Sequence, residues 1–333
     1  EQLEELAFLV FYGFSQEVQD KLEESTIQKI LEKAFSDTDA VRLLSIEKDD
    51  YKKELFSLYK DNIIDQYYGL KIQYLYPFIS GKDFTYIPSP YLVVNAVTES
   101  MLNRVTFRDN KLRRAIGKEV IESYLYNIVR QLDTVTWISP ELLYKKGKDK
   151  LLTSDVIAAE GDNVIFYDTK AITPSLKLRK FDVAEIEADI EIYAEDVIQI
   201  YNQINNYLQG CFQLDKQYLK DKIFGIVVVL EDAVVSRKKV YEKVYEILEK
   251  TETLDTEEKN YICSHIKVLP LRAIECMILQ NTSLLPELIE QLSKPERWYD
   301  YTYTNATIEN GKIPLYSKYE KDLKSRIKDR IMG

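Results

Sequence analysis

Two short runs, Ser154-Asp-Val-Ile-Ala-Ala-Glu160 and Asn163-Val-Ile-Phe-Tyr-Asp-Thr-Lys-Ala-Ile172, are separated only by Gly161-Asp162. β-Branched and aromatic residues fill both runs, and a two-residue link with glycine is the signal of a tight β-hairpin. If Gly161-Asp162 is the turn, Glu160 faces Asn163, and the same register sets Asp155 opposite Asp168. Directly opposed residues have Cβ atoms roughly 4.5 to 5.5 Å apart, where like charges repel unless something compensates. A bound divalent cation would compensate. Side chains alternate along a strand, so Lys170 shares the face of Asp168. Two carboxylates and one ammonium are therefore expected to converge at one end of the hairpin.

The flanking sequence predicts a mixed α/β chain. Residues 1 to about 90 read as an α-helical N-terminal region, with apolar residues at helical spacing in LAFLVFYGF and TIQKILEKAF. Pro77, Gly81, Pro88 and Pro90 crowd the stretch from Tyr76 to Tyr91, which suits a connection and places a domain boundary near residue 90. Residues 91–333 are expected to form the second unit. Within it, GKEVIESYLYNIVRQL reads as a helix starting at Gly117, with Val120, Ile121, Tyr124, Leu125, Ile128 and Leu132 on one face. Beyond the hairpin come a helix ending at Gly210, a buried-strand run IFGIVVVL, an amphipathic helix, and a last strand in HIKVLPLRAI.

Composition excludes several classes. With 45% hydrophobic residues in 333, the chain can bury a full core and is not a disordered protein. Cys211, Cys263 and Cys276 form no short-spaced set, which argues against a disulfide framework or a zinc ribbon and for a reducing, cytoplasmic setting. His265, the single histidine, has no Cys or His partners at zinc spacing and is read as structural. No run approaches eighteen uninterrupted apolar residues, so no membrane span is expected, and the first residues lack the basic region of a signal peptide. With Glu rather than Met at position 1, the natural chain is expected to begin further upstream.

A formal charge of −10 argues against a nucleic-acid partner until its distribution is considered. Residues 101–180 carry 15 Lys and Arg against 10 Asp and Glu, while residues 181–200 carry seven acids and no base, the pattern of a solvated helix face or loop. The basic segments KLRR (Lys111 to Arg114), KKGKDK (Lys145 to Lys150) and KLRK (Lys177 to Lys180) flank the acids, where phosphate contacts would be needed. Lys145, Lys146, Lys177, Arg179 and Lys180 are the candidate nucleic-acid contacts. Each segment also reads as an ordinary solvated loop.

Carboxylate oxygens select hard cations such as Mg²⁺ or Mn²⁺, which keep coordination positions for a phosphate oxygen and a water. That chemistry suits phosphodiester hydrolysis, with Lys170 positioning or helping to deprotonate the water and offsetting transition-state charge. Glu122, one position from core-facing Ile121 on the preceding helix, is the candidate third ligand, acting partly through water.

Three segments carry a resemblance: G-x-x-x-x-E-x-Y-L (Gly117 to Leu125), S-D-V-I (Ser154 to Ile157) and F-Y-D-T-K-A (Phe166 to Ala171). Together they resemble the PD-(D/E)XK nuclease superfamily over roughly residues 115–210. The resemblance implies a restriction-endonuclease-like mixed β-sheet flanked by helices. It implies catalytic roles for Glu122, Asp155, Asp168 and Lys170, and metal ligation by Glu122, Asp155, Asp168 and the main-chain carbonyl of Thr169. Gln203-Ile-Asn-Asn-Tyr207 resembles the Q-x-x-x-Y motif of the RecB-like branch, which implies that Gln203 and Tyr207 hold nucleic acid or site residues; Gln199 is a competing candidate. Ser154 stands where the family often has Pro, the second acid is Asp rather than Glu, and no His lies upstream, so endonuclease or exonuclease polarity stays open.

The reading that results is a Mg²⁺- or Mn²⁺-dependent nuclease acting on DNA, in defence against foreign DNA or in repair. Its competitors are an RNA-processing nuclease and a nuclease-fold scaffold without turnover, which would dock a protein partner through the helical N-terminal region or the acidic 181–200 stretch. Tyr207, like most of the 25 tyrosines, also has a plain reading as a core residue.

Overall fold

The computed structural model describes residues 38–59, 76–97, 110–171, 183–230, 235–250 and 254–279, with a few isolated positions before residue 74. Contacts divide the chain into two compact units: residues 1–108, 175–180 and 314–333 in one, and residues 109–174 and 181–313 in the other. The division falls after residue 108 rather than near residue 90. The breaker-rich stretch is structured within the first unit, because Gly81 turns between two strands and Pro90 opens a helix, where its missing N–H costs nothing.

The first unit contains α1 (Thr38–Leu43), β1 (Ser45–Glu47), α2 (Lys48–Tyr59), β2 (Phe78–Ser80), β3 (Thr85–Tyr86) and α3 (Pro90–Val97). The expectation of an all-helical region misses this three-stranded sheet, in which β1 pairs parallel with β2 and β2 antiparallel with β3. Strands this short carry no readable alternation. They form because Phe78 and Ile79 are buried, in a unit whose core also holds Leu44, Leu92, Val93 and Ala96.

The second unit begins with α4 (Asn110–Ile116), a π-helical segment (Gly117–Glu122) and α5 (Ser123–Val129). Gly117 thus opens a π-helical turn within a helix instead of starting one. Ile121, Leu125, Ile128 and Leu132 are buried at helical spacing, whereas Val120, expected on that face, is 58% exposed. Strands β4 (Trp137–Pro140), β5 (Leu143–Lys146), β6 (Asp149–Leu152), β7 (Val156–Glu160) and β8 (Asn163–Lys170) follow, then α6 (Val183–Leu208) and β9 (Ile223–Val229). The unit's described part closes with α7 (Arg237–Leu248), α8 (Thr256–His265), β10 (Ile266–Pro270) and α9 (Leu271–Leu279).

Its main sheet has the order β10-β9-β8-β7-β4 and is mixed, with antiparallel β4–β7 and β7–β8 and parallel β8–β9 and β9–β10 pairs. Strand β9 is buried along its whole length, as an interior parallel strand must be. Helix α6 is the crossover between β8 and β9. It contributes Tyr193, Ala194, Val197, Ile200, Tyr201, Ile204 and Tyr207 to the core at steps of three and four. At Gly225 a Cβ would run into Ile200 Cγ2, so the glycine lets α6 come down onto β9. The helix ends as expected at Gly210, whose φ of 76° accompanies bonds from Gly210 N–H to Tyr207 O at 2.8 Å and from Cys211 N–H to Asn206 O at 2.9 Å. The acid-rich stretch is largely the solvated side of α6, with Glu187, Glu191 and Glu195 exposed and Asp196 buried. Among the described residues, no helix is long and apolar enough to cross a membrane.

Candidate active site

The hairpin forms in the expected register. Glu160 pairs with Asn163 and the ladder runs to Val156 opposite Tyr167. Gly161 adopts a φ of 58°, and Lys216 ties down the turn through Gly161 O at 2.8 Å and Asp162 Oδ1 at 3.0 Å. Asp155 lies one residue beyond the last pair of β7, and Asp168 one residue further along β8. Their carboxylates do not simply face each other. Oδ2 of Asp155 accepts both the N–H and the hydroxyl of Thr169, each at 2.6 Å. Asp168 is only 3% exposed and shares the α6-facing side of β8 with Phe166, whose ring packs against Tyr207 and Phe212.

Lys170, at the end of β8, reaches three partners. Its Nζ is 2.7 Å from Asp168 Oδ2 and 3.4 Å from Asp196 Oδ1, and it donates to Gln199 Oε1 at 2.9 Å. Burial opposes the ammonium, but the charges of Asp168 and Asp196 outweigh it and hold Lys170 above its ordinary value. Lys170 is thus a fixed cation in this arrangement rather than a ready base. Burial pushes Asp168 above the usual carboxylate range, against the pull of Lys170 and with a push from Asp155 and Asp196. Asp196 is pushed up to about 6, again by burial and against Lys170.

Glu122 sits at the end of the π-helical segment, where an i→i+5 turn changes which way successive side chains project. Burial raises its carboxyl to about 7; Asp155, Glu141 and Asp168 push in the same direction, and Lys118 opposes them. Glu122 is therefore within electrostatic reach of both hairpin acids. Lys118 is itself shared with Glu141, at 3.4 Å. The adjoining chain is fastened to the end of β8, since Arg113 donates to Ala171 O at 3.1 Å.

Gln203 and Tyr207 lie on α6 but play different parts. Gln203 is buried and accepts the hydroxyl of Ser154, so it holds the residue next to Asp155. Among the described residues, Tyr207 bonds to no acid. Its ring packs in the core against Phe166 and Phe212, its hydroxyl donates to Lys216 O at 3.2 Å, and it accepts Tyr218 N–H at 2.9 Å. Two polar residues outside the sequence motifs lie on the same helix. One is Asp196; the other is Asn206, which accepts Lys146 Nζ at 2.7 Å and donates to Tyr144 at 2.8 Å. Their only sequence signal was spacing, because Asp196, Gln199, Gln203 and Asn206 recur at steps of three and four.

Of the basic candidates, Lys145 is exposed on the β5–β6 hairpin and Lys146 is anchored to Asn206. Lys177, Arg179 and Lys180 lie outside the described residues. His265 is stacked between Phe224 and Tyr261, with ring centroids 4.9 and 4.4 Å away, in keeping with a structural role.

Glu122, Asp155, Asp168 and the Thr169 carbonyl offer only oxygen donors, the chemistry of a hard cation. Burial is the main reason the Glu122 carboxyl is raised, and Asp155, Glu141 and Asp168 add a smaller repulsion that such a cation would relieve. Among the described residues, however, no three Asp, Glu, His or Cys side chains are grouped as a ready-made metal cage. No family model matches the chain, and no curated protein matches it either. A solved structure similar to it is the small subunit of the heterodimeric restriction endonuclease R.BspD6I, at 10% identity over 64% of this chain and 97% of that one, with a TM-score of 0.29. A likeness at that level carries no inference.

Proposed function

We propose that the chain is a metal-dependent nuclease with a restriction-endonuclease-like core, hydrolysing phosphodiester bonds in DNA. The observation that supports it is the end of the β7–β8 hairpin, where Lys170 is held as a cation beside buried Asp168, next to Asp155 and within electrostatic reach of Glu122. A mixed sheet whose antiparallel hairpin leads through a long helix to parallel strands fits that core.

Asp155, Asp168 and the Thr169 carbonyl would hold Mg²⁺ or Mn²⁺, with Glu122 completing the set through water. When bound, the cation supplies Lewis-acid polarisation of the phosphoryl group. Lys170, kept charged, orients the attacking water and offsets charge that develops on the phosphate. Gln203 keeps the Ser154-Asp155 segment in place. Lys145, Lys148 and Lys150 on the β5–β6 hairpin bind the sugar-phosphate backbone; Lys177, Arg179 and Lys180, outside the described residues, are candidates from the sequence. This activity fits a cytoplasmic role in defence against foreign DNA or in repair.

The test is cleavage of linear, circular and single-stranded DNA and of RNA, with Mg²⁺, Mn²⁺ or chelator. Metal-dependent cleavage that Lys170→Ala lowers by about 100- to 1000-fold supports the reading, since removing one transition-state donor costs about that much. A second reading, a nuclease-fold binding protein without turnover, is favoured by the lack of a preformed three-acid cage among the described residues. It predicts nucleic-acid binding that is indifferent to the cation and no cleavage at all.

A further inference from the structure

We propose that Asp196 is the positioning residue for Lys170: its carboxylate keeps the ammonium at the end of β8 once Asp168 shares its charge with a divalent cation. The inference rests on the nuclease reading above. Lys170 now leans mainly on Asp168, at 2.7 Å, with Asp196 the second anion at 3.4 Å and neutral Gln199 at 2.9 Å. A cation on Asp168 would take up its oxygens and repel the ammonium beside it. A lysine head on a flexible four-carbon stem would then swing to solvent unless another anion held it. Gln199 can orient the ammonium but supplies no charge.

Asp196 is placed for that task at a cost to the fold. It is 9% exposed, and its Oδ2 is buried with no hydrogen-bond partner. Burying a carboxylate with one oxygen unsatisfied is unfavourable, so a purely structural position would favour a neutral side chain. Among the described residues, Lys170 is the only cation within ion-pair distance of Asp196. Glu187, Glu191 and Glu195 on the same helix are exposed, so the acidity of the stretch does not account for a carboxylate turned inward at 196.

The experiment uses the full chain as wild type, Asp196→Asn and Asp196→Glu. Acetylation of lysine amines by acetic anhydride, read residue by residue by mass spectrometry with and without Mg²⁺, reports how firmly each ammonium is held. With Mg²⁺, Asp196→Asn is expected to speed acetylation of Lys170 by about tenfold, the worth of one charge-assisted hydrogen bond, and to leave Lys118 and Lys216 unchanged. Cleavage by Asp196→Asn should lose kcat by a similar factor at constant KM, and Asp196→Glu should restore part of both effects. Equal acetylation of Lys170 in wild type and Asp196→Asn overturns the proposal, as does an unchanged kcat. A wild-type chain that cuts no nucleic acid overturns the nuclease reading and Asp196's part in it. That failure is distinct, because the acetylation contrast at Lys170 does not depend on turnover.

Discussion

Asp155 and Asp168 occupy neighbouring positions at one end of the same hairpin, yet their surroundings treat them differently. Asp155 receives two short hydrogen bonds from Thr169, whereas Asp168 is buried against its own ionisation with Lys170 as its counter-ion. Replacement by Asn should therefore separate them. Asp155→Asn weakens two charge-assisted bonds and should lower stability by about 1–2 kcal/mol. Asp168→Asn removes a buried charge but leaves Lys170 with Asp196 as its counter-ion, so the two effects offset and the Tm in chelator at pH 8 should change less than in Asp155→Asn. Chemical or thermal denaturation of both variants checks the contrast. A pH dependence follows from Glu122 and Asp196, raised to about 7 and about 6 by burial. An acid whose native pKa exceeds its unfolded value of about 4 makes the native state bind the extra proton. Stability from these groups is then gained as pH falls through about 7 and 6 and lost as pH rises. In chelator, the Tm of wild type should rise between pH 8 and pH 5.5 by more than that of the Glu122→Gln/Asp196→Asn double variant.

Among the elements, helix α6 does most of the organising. Its apolar stripe packs the sheet, and the polar residues beside that stripe fasten separate pieces of the site: Asp196 and Gln199 hold Lys170, Gln203 holds Ser154, and Asn206 holds the β5–β6 hairpin. The seat of α6 on β9 depends on Gly225, where any side chain meets Ile200. Gly225→Ala should destabilise the chain by about 1–3 kcal/mol through overpacking, and, if the nuclease reading holds, should reduce cleavage although no acid has been touched. Denaturation beside the cleavage assay reads both effects. The β5–β6 hairpin carries Lys145 and Lys150 as a cross-strand pair and Lys148 in the turn, where Gly147 has a positive φ. Replacing these three lysines with Gln should flatten the dependence of DNA affinity on salt, measured by titration at several ionic strengths, without abolishing metal binding.

For the molecule as a whole, a net charge of −10 in a proposed DNA-binding protein makes sense only if cations are local. Phosphate contact would depend on clustered lysines such as those of the β5–β6 hairpin, and acidic surface would repel DNA. A cation bound only by the folded chain also couples the site to global stability. Mg²⁺ at about 100 times its dissociation constant should stabilise the wild type by about 2.7 kcal/mol, an increment lost in the Asp155→Asn/Asp168→Asn double variant. Calorimetry with Mg²⁺ and with chelator measures it; an increment of the same size in both proteins would count against these ligands.

The β7–β8 hairpin, its register and the end of α6 were legible in the sequence, because strand alternation, a Gly161-Asp162 turn and a Gly210 cap are set by neighbours along the chain. The all-buried strand β9 was legible for the same reason. The small sheet of the first unit was not, since strands of two or three residues carry no period. Nor could local pattern say that Tyr207 would spend its hydroxyl on Lys216 and Tyr218, or that Val120 would face solvent within the π-helical segment. Asp196 looked like one of seven acids on a solvated stretch. Only the descent of α6 onto the sheet turned it towards Lys170, 26 residues away in sequence, because side-chain partners across such a distance are chosen by how elements pack.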